Sequence, residues 1–491
     1  MARVTTVEAA PDRAVNRARL LGWAGPLGVM AIGGWIRFSA LGRPDAVIFD
    51  ETYYAKDGLS LTLFGYERKA VEGADDLLLE GRTDIFTDSP GYVIHPPLGK
   101  WVAGSGQWLF DVSPATWRFG SAVLGTLAIL LLARIVRRMT GSTLLGCVAG
   151  LLLALEGLSI VLSRTAMLDG PLAFFVLAAF GCLVIDRDHR RAGTGPRWRP
   201  WRVAAGVCLG LACGTKWSGV FYLAAFGVMT VLWDRGARQL AGEPSPTRAA
   251  LRRDALPAFL AIVPTAIVTY VVTWSGWLLT SGGWDRQWAA NNSPSGNAVV
   301  DAFRSLWHYH GGMLASARAI TSDHPYESEP IGWLVLVRPV SMHYDGEAAG
   351  CEADRCVSAV LALGNPAIWW AGLAALAACL WWWGAQRDWR AGAALLGVAA
   401  GWLPWALSGD RTVFSWYVVV AAPFVCLAIT LAIARILGPN EPGRRRMWAA
   451  IAVGAYLLVV LAMFAWFEPI WTGEVVSYDA WRARMWFSSW I

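Results

Sequence analysis

Residues 415–437 read SWYVVVAAPFVCLAITLAIARIL, and from Ser415 to Ala434 no side chain is charged. About 20 apolar residues, at roughly 1.5 Å of helical rise each, cover the roughly 30 Å hydrocarbon core of a bilayer. A soluble helix of this length would show a polar face, and this stretch has none. The pattern recurs, giving eleven candidate spans near residues 20–41, 116–136, 142–162, 169–185, 203–216, 218–233, 256–279, 361–383, 391–407, 415–437 and 447–467. The fifth is short, which leaves the boundary around Lys216 open. Composition agrees: the chain is 56% hydrophobic and 16% charged, where soluble domains carry about a quarter charged residues. The expected class is an all-α polytopic membrane protein, and a soluble helical protein is excluded.

Cytoplasmic loops of membrane proteins are enriched in Arg and Lys. Arg13, Arg17 and Arg19 precede the first span; Arg134, Arg137 and Arg138 close the second. One loop holds Arg187, Arg190, Arg191, Arg197, Arg199 and Arg202, and the next holds Arg235, Arg238, Arg248, Arg252 and Arg253. Arg387, Arg390 and the Arg444–Arg446 run complete the set. Eleven crossings put all of them on one side, so the N-terminus is expected in the cytoplasm and the C-terminus outside. No Ala-x-Ala-type cleavage signal follows the first apolar stretch, which is expected to remain as a span. The net charge of +6 then reflects topology and anionic lipid, and nucleic acid has no part in the reading.

The expected division is a cytoplasmic tail (1–19), a transmembrane catalytic module (20–280) that includes an outer loop (42–115), a second outer loop (281–360), a C-terminal transmembrane module (361–467) and an outer tail (468–491). Both outer loops are acidic and aromatic. Leu98–Phe110 is apolar but too short to cross and is expected as a helix on the membrane surface. Val299, Phe303, Leu306, Trp307, Met313 and Leu314 recur at helical spacing and predict a second surface helix. Of six histidines, His95 lies in the first outer loop and His308, His310, His324 and His343 in the second.

The first outer loop opens on Asp50-Glu51-Thr52-Tyr53-Tyr54. Adjacent carboxylates at a membrane surface suit a general base, a metal ligand or an acceptor for sugar hydroxyls. Alone, such a pair fits a solvated turn equally well. Further motifs follow it in order: His95-Pro96-Pro97-Leu98-Gly99-Lys100, Ser163-Arg164-x-x-x-Leu168-Asp169, Lys216-Trp217-x-Gly219, His324-Pro325-Tyr326-Glu327-Ser328-x-Pro330 and Gly364-Asn365-Pro366-x-x-Trp369-Trp370. In this order they resemble the protein O-mannosyltransferases, from Phe49 to about Phe424.

The resemblance implies a type C glycosyltransferase fold, a dolichyl or polyprenyl phosphate mannose donor, and Ser or Thr hydroxyls of secreted proteins as acceptors. The second outer loop is too short for the β-trefoil module of eukaryotic members, so the chain looks like a bacterial, actinobacterial-like member of the plasma membrane using a polyprenyl phosphate mannose. Its prospective partners are the lipid donor, secreted acceptor proteins and the secretion channel.

A serine hydroxyl is a weak nucleophile and needs a positioned base, for which Asp50 is the candidate. Glu51 is left to orient Asp50, bind the sugar or coordinate a divalent cation, and no metal or other cofactor is assigned. The departing lipid phosphate needs fixed cations, and Arg118, Arg164, Lys216 and Arg411 are available. Arg411 equally suits a pair with Asp410. His95, Lys100 and Asp169 join the donor-binding set, and His310, His324, Tyr326 and Glu327 are expected to shape the second loop. Direct displacement on a β-linked donor would invert the anomeric carbon.

Glu156 and Asp169 fall in or at spans, where a charge costs roughly 2.5 to 3.5 kcal/mol, so each is expected to pair with Arg164 or Arg118 or to serve substrate. Cys351 and Cys356 are the only cysteines in an outer loop, and an oxidising outer face predicts a disulfide. Two other functions stand beside this reading. One is another lipid-phosphate sugar transferase of the same fold, similar to the aminoarabinose transferases, which carry Lys where this chain has His95. The other is a lipid-carrier transporter without chemistry, for which inverted repeats and midplane polar residues would be expected; here the polar residues gather on the outer face.

Overall fold

The computed structural model describes residues 10–194, 196, 198–409 and 411–491. Arg197 and Asp410 lie outside them. Helices occupy most of each of the eleven expected stretches, although the one expected over 361–383 begins only at Pro366, after a strand that ends at Ala362. Among the described residues, six helices are individually long and apolar enough to cross a membrane: Pro114–Thr140, Asp169–Ala192, Ala255–Thr273, Pro366–Gln386, Ser415–Leu437 and Arg444–Thr472.

The expected single span over 142–162 is two helices, Thr143–Ala154 and Gly157–Ser163, bent by 65°. Glu156 causes the break. Its carboxylate caps the second helix by accepting from the Leu158 and Ser159 amides at 3.1 and 2.6 Å. It also accepts from the Asn365 amide at 3.3 Å and Trp369 Nε1 at 2.9 Å. A carboxylate with four donors needs no cation, so the expected partners Arg118 and Arg164 are engaged elsewhere.

The two long segments between spans, 42–115 and 281–360, are helical with two small sheets. Leu98–Leu109 forms the first expected surface helix and leaves Trp108, Leu109 and Phe110 exposed. Ala298–Arg318 forms the second, with Val299, Phe303 and Trp307 exposed. Strand Cys356–Ala362 pairs antiparallel with both Val340–Asp345 and Val475–Ser477, so the C-terminal segment completes a sheet begun in the segment 281–360. Cys351 and Cys356 form the expected disulfide across the turn, with Cα atoms 5.8 Å apart.

The helix that begins beside Asp50, Glu51–Phe64, lies against Leu98–Leu109 at backbone contact. A Cβ on Gly58 would stand 2.7 Å from the Gly104 amide nitrogen, and one on Gly104 would stand 2.4 Å from the Gly58 carbonyl oxygen. Only glycine permits that approach at both positions. It fixes the two outer-loop motifs, Asp50-Glu51 and His95–Lys100, side by side.

Candidate active site

Asp50 is the N-cap residue of the Glu51–Phe64 helix. The residue before it, Phe49, has φ +49°, a left-handed conformation that costs a non-glycine residue about 1–3 kcal/mol, and its ring is held edge-on to Trp416 at 5.1 Å. The turn points the two acids in different directions. Asp50 is half-buried in a polar cluster, the hollow of the site, whose nearest groups are Lys216, Asp169 and Tyr54, whereas Glu51 is fully buried.

Glu51 does not meet the hollow. Its Oε1 accepts from Arg118 Nε at 2.8 Å and the Ala166 amide at 3.0 Å; its Oε2 accepts from Arg118 Nη2 at 2.8 Å and the Ile48 amide at 3.1 Å. Arg118 donates further to the carbonyls of Leu41, Pro44 and Ala46. All five of its N–H donors are spent. Arg118 therefore ties the entry loop to the bundle, which corrects its expected place at the donor phosphate.

Lys216, immediately after the Pro200–Thr215 helix, donates to both oxygens of Asp169 at 2.9 Å. Asp169 thus finds its cation 47 residues downstream, in place of the expected Arg118 or Arg164. The ammonium sits 4.0 Å from the Tyr417 ring centroid and retains one N–H beyond the pair. This ion pair faces Asp50. Burial pushes the Asp50 carboxyl up to about 6; Lys216 opposes the shift, Asp169 adds to it, and the Tyr54 hydroxyl favours the ionised form. A base of that strength is better matched to neutral pH than an ordinary aspartate.

His95 lies beside Tyr54, with ring centroids 6.2 Å apart. Burial, then Lys216, Lys100 and Arg411, hold its imidazole well below the usual range, so it is neutral and serves as a hydrogen-bonding group. Arg411 is a second cation of the hollow, close enough to act on His95 and Tyr417, with Cζ 5.4 Å from the Trp405 ring centroid. Its Nε is buried without a hydrogen-bond partner among the described residues.

Three other expected site residues are engaged with partners of their own, and a fourth is exposed. Lys100 is fully buried in an ion pair with Glu67. Arg164 gives its terminal nitrogens to the carbonyls of Ile36, Arg37, Ser39 and Ala40, capping the first long helix, so it too is corrected from a phosphate ligand to a helix cap. His310 Nδ1 bonds the Leu306 carbonyl at 2.7 Å, which requires the proton there, and Nε2 then accepts from Tyr270 at 2.6 Å. Burial holds this imidazole below its ordinary range. Glu327 is exposed on the second loop.

The His324–Ser328 turn packs against the Thr412–Phe414 segment. His324 Nδ1 accepts from the Tyr326 amide at 3.1 Å, and its ring meets Phe414 edge-on at 5.0 Å. Ser328 N donates to Val413 O at 3.1 Å, and Thr412 Oγ1 donates to Ser322 O at 2.7 Å. The turn thereby holds the segment that carries Arg411 and Tyr417.

Tyr54, Asp57 and Tyr417 were missed from sequence. Tyr54 and Asp57 follow Asp50 by four and seven positions and share its helix face, a signal the spacing contained. Burial and Glu67 raise Asp57 to about 7 against the opposing Lys100 and Lys56. Tyr417 had no motif to mark it.

Two family models match the chain: "Dolichyl-phosphate-mannose-protein mannosyltransferase" over residues 91–280, and "C-terminal four TMM region of protein-O-mannosyltransferase" over residues 302–490. The chain is 38% identical to a Mycolicibacterium smegmatis polyprenol-phosphate-mannose–protein mannosyltransferase, over 96% of this chain and 93% of that one. A Corynebacterium glutamicum protein of the same name is 32% identical over 82% of each chain. In fold, the chain is similar to the Saccharomyces cerevisiae protein O-mannosyltransferase complex bound to the sugar donor, with TM-score 0.74, 15% identity, and coverage of 99% of this chain and 93% of that one.

Proposed function

The chain belongs to the protein O-mannosyltransferase family, and we propose that Asp50 is its catalytic base, in transfer of mannose from a polyprenyl phosphate mannose to Ser or Thr hydroxyls of secreted proteins. The observation that carries the reading is the Asp50 carboxylate facing the Lys216–Asp169 pair, with Arg411 and neutral His95 around the same hollow.

The chemistry follows from those groups. Asp50 removes the proton from the acceptor hydroxyl as its oxygen attacks the mannose anomeric carbon. The bond from that carbon to the phosphate oxygen breaks, and its electron pair leaves with the lipid phosphate. The third N–H of Lys216 and the Arg411 guanidinium offset the growing negative charge. A single displacement inverts the anomeric carbon, so a β-linked donor yields α-mannose. His95 and Tyr54 are placed to hydrogen-bond sugar hydroxyls. Glu51 and Arg118 position the turn that aims Asp50.

The positive-inside pattern supports a plasma-membrane protein with a cytoplasmic N-terminus and an outer C-terminus and site, where emerging secreted chains would be met beside the secretion channel. The test is transfer of labelled mannose from the polyprenyl phosphate donor to a Ser/Thr-rich peptide by reconstituted protein. Mannosyl peptide is the expected product. Transfer to lipid alone would move the chain to another acceptor class.

A further inference from the structure

The Asp169–Ala192 helix starts at the hollow and runs 24 residues, about 36 Å, to the other end of the bundle. A second cavity, of about 480 Å³, opens there among the end of that helix, the start of Pro200–Thr215 and the start of Ala255–Thr273. Among the described residues, four arginines line it, Arg190, Arg199, Arg202 and Arg253, with two acids, Asp186 and Asp254.

Both acids are already neutralised. Asp186 accepts from Arg199 Nε at 2.8 Å and Arg202 Nε at 3.0 Å, and both arginines also reach Asp234. Asp254 takes both its bonds from Arg238, outside the cavity. Arg190 has no hydrogen-bond partner among the described residues, and Arg253 has only Glu243 at 3.6 Å. Two cations are left for an anion.

The opposite wall is apolar. Pro257 and Ala261 of the membrane helix line the cavity, and Leu256, Phe259 and Leu260 are exposed on the same helix. Trp198 and Trp201 are exposed among its lining residues, and indoles are enriched at the edge of a bilayer. A cationic mouth continuous with an apolar, lipid-facing wall matches a molecule with a phosphate head and acyl chains, and a soluble anion would leave the apolar wall unused.

We propose that this cavity seats an anionic phospholipid, its phosphate between Arg190 and Arg253 and its chains along Ala255–Thr273. The orientation proposed above places it in the inner leaflet; binding itself does not depend on mannosyl transfer.

The full chain is reconstituted in nanodiscs of phosphatidylcholine, alone or mixed with phosphatidylglycerol, and compared with R190Q/R253Q and R190K/R253K. Retained lipid is counted by native mass spectrometry and thermal stability is measured. The wild type and the Lys variant should keep phosphatidylglycerol and melt higher in the mixed discs. The Gln variant should bind it about tenfold or more weakly and lose the stability gain. Equal retention by the Gln variant overturns the proposal. So does an equal stability gain from inorganic phosphate in phosphatidylcholine alone, which marks a soluble-anion site.

Discussion

Arg118 and Glu51, 67 residues apart in the chain, form a fully buried two-point ion pair with both contacts at 2.8 Å. Neither has capacity left for substrate, because three loop carbonyls fill the rest of Arg118 and two backbone amides fill the rest of Glu51. Breaking a buried pair by removing one charge typically costs about 3 to 5 kcal/mol. E51Q should therefore lower the melting temperature in detergent or nanodiscs. An E51Q protein as stable as wild type yet inactive would put Glu51 on the substrate instead.

Asp50 carries the opposite expectation. D50N should fold and bind donor while losing about 10²- to 10⁴-fold in turnover, the usual contribution of a positioned base. Wild-type turnover in D50N, measured with labelled donor and peptide, would remove the assignment.

The acidity of Asp50 sets the pH dependence. The base must be ionised, so activity should fall about tenfold per pH unit below about 6. Lys216 holds the value down and Asp169 pushes it up, so K216M should move the acidic limb towards higher pH while slowing transfer. Stability has the reverse sign. A carboxyl whose folded value lies above its unfolded one favours the folded state only while protonated, and that benefit fades as pH rises through about 4 to 6. D50N should accordingly melt higher than wild type at neutral pH.

The buried Nε of Arg411 has no hydrogen-bond partner among the described residues. A charge-assisted hydrogen bond contributes about 1.5 to 3 kcal/mol, so R411Q should raise the KM for the lipid donor about 10- to 100-fold. Its melting temperature should stay near wild type. Unchanged donor kinetics would leave Lys216 as the sole cation at the phosphate.

The Cys351–Cys356 bridge closes a short loop. Loop-closure entropy gives such a bridge about 2 kcal/mol. C351S/C356S should lose up to that amount in thermal stability and keep its turnover, and intact-mass measurement without reductant should find both thiols oxidised in the wild type.

Apolar runs without polar faces settled the membrane class from sequence alone, because no other solvent tolerates them, and the ordered motifs from Asp50 to Trp370 settled the family. The first surface helix was equally legible, since a mostly apolar stretch as short as Leu98–Phe110 cannot cross a bilayer but can lie on one. The bend at Glu156 was not, because it depends on donors from Asn365 and Trp369, more than 200 positions away.

The division of labour at the site also waited for the tertiary structure. Sequence shows five cationic candidates and two adjacent acids, all alike in charge. Neighbouring residues at a helix start point about 100° apart, so one acid enters the hollow and the other enters the core. Which cations remain free is decided by partners brought from afar: Glu51 takes Arg118, Glu67 takes Lys100, helix-end carbonyls take Arg164, and Asp169 takes only part of Lys216. Charge is written in the sequence, but a charge already paired in a low-dielectric interior is unavailable for chemistry, and only folding determines the pairing.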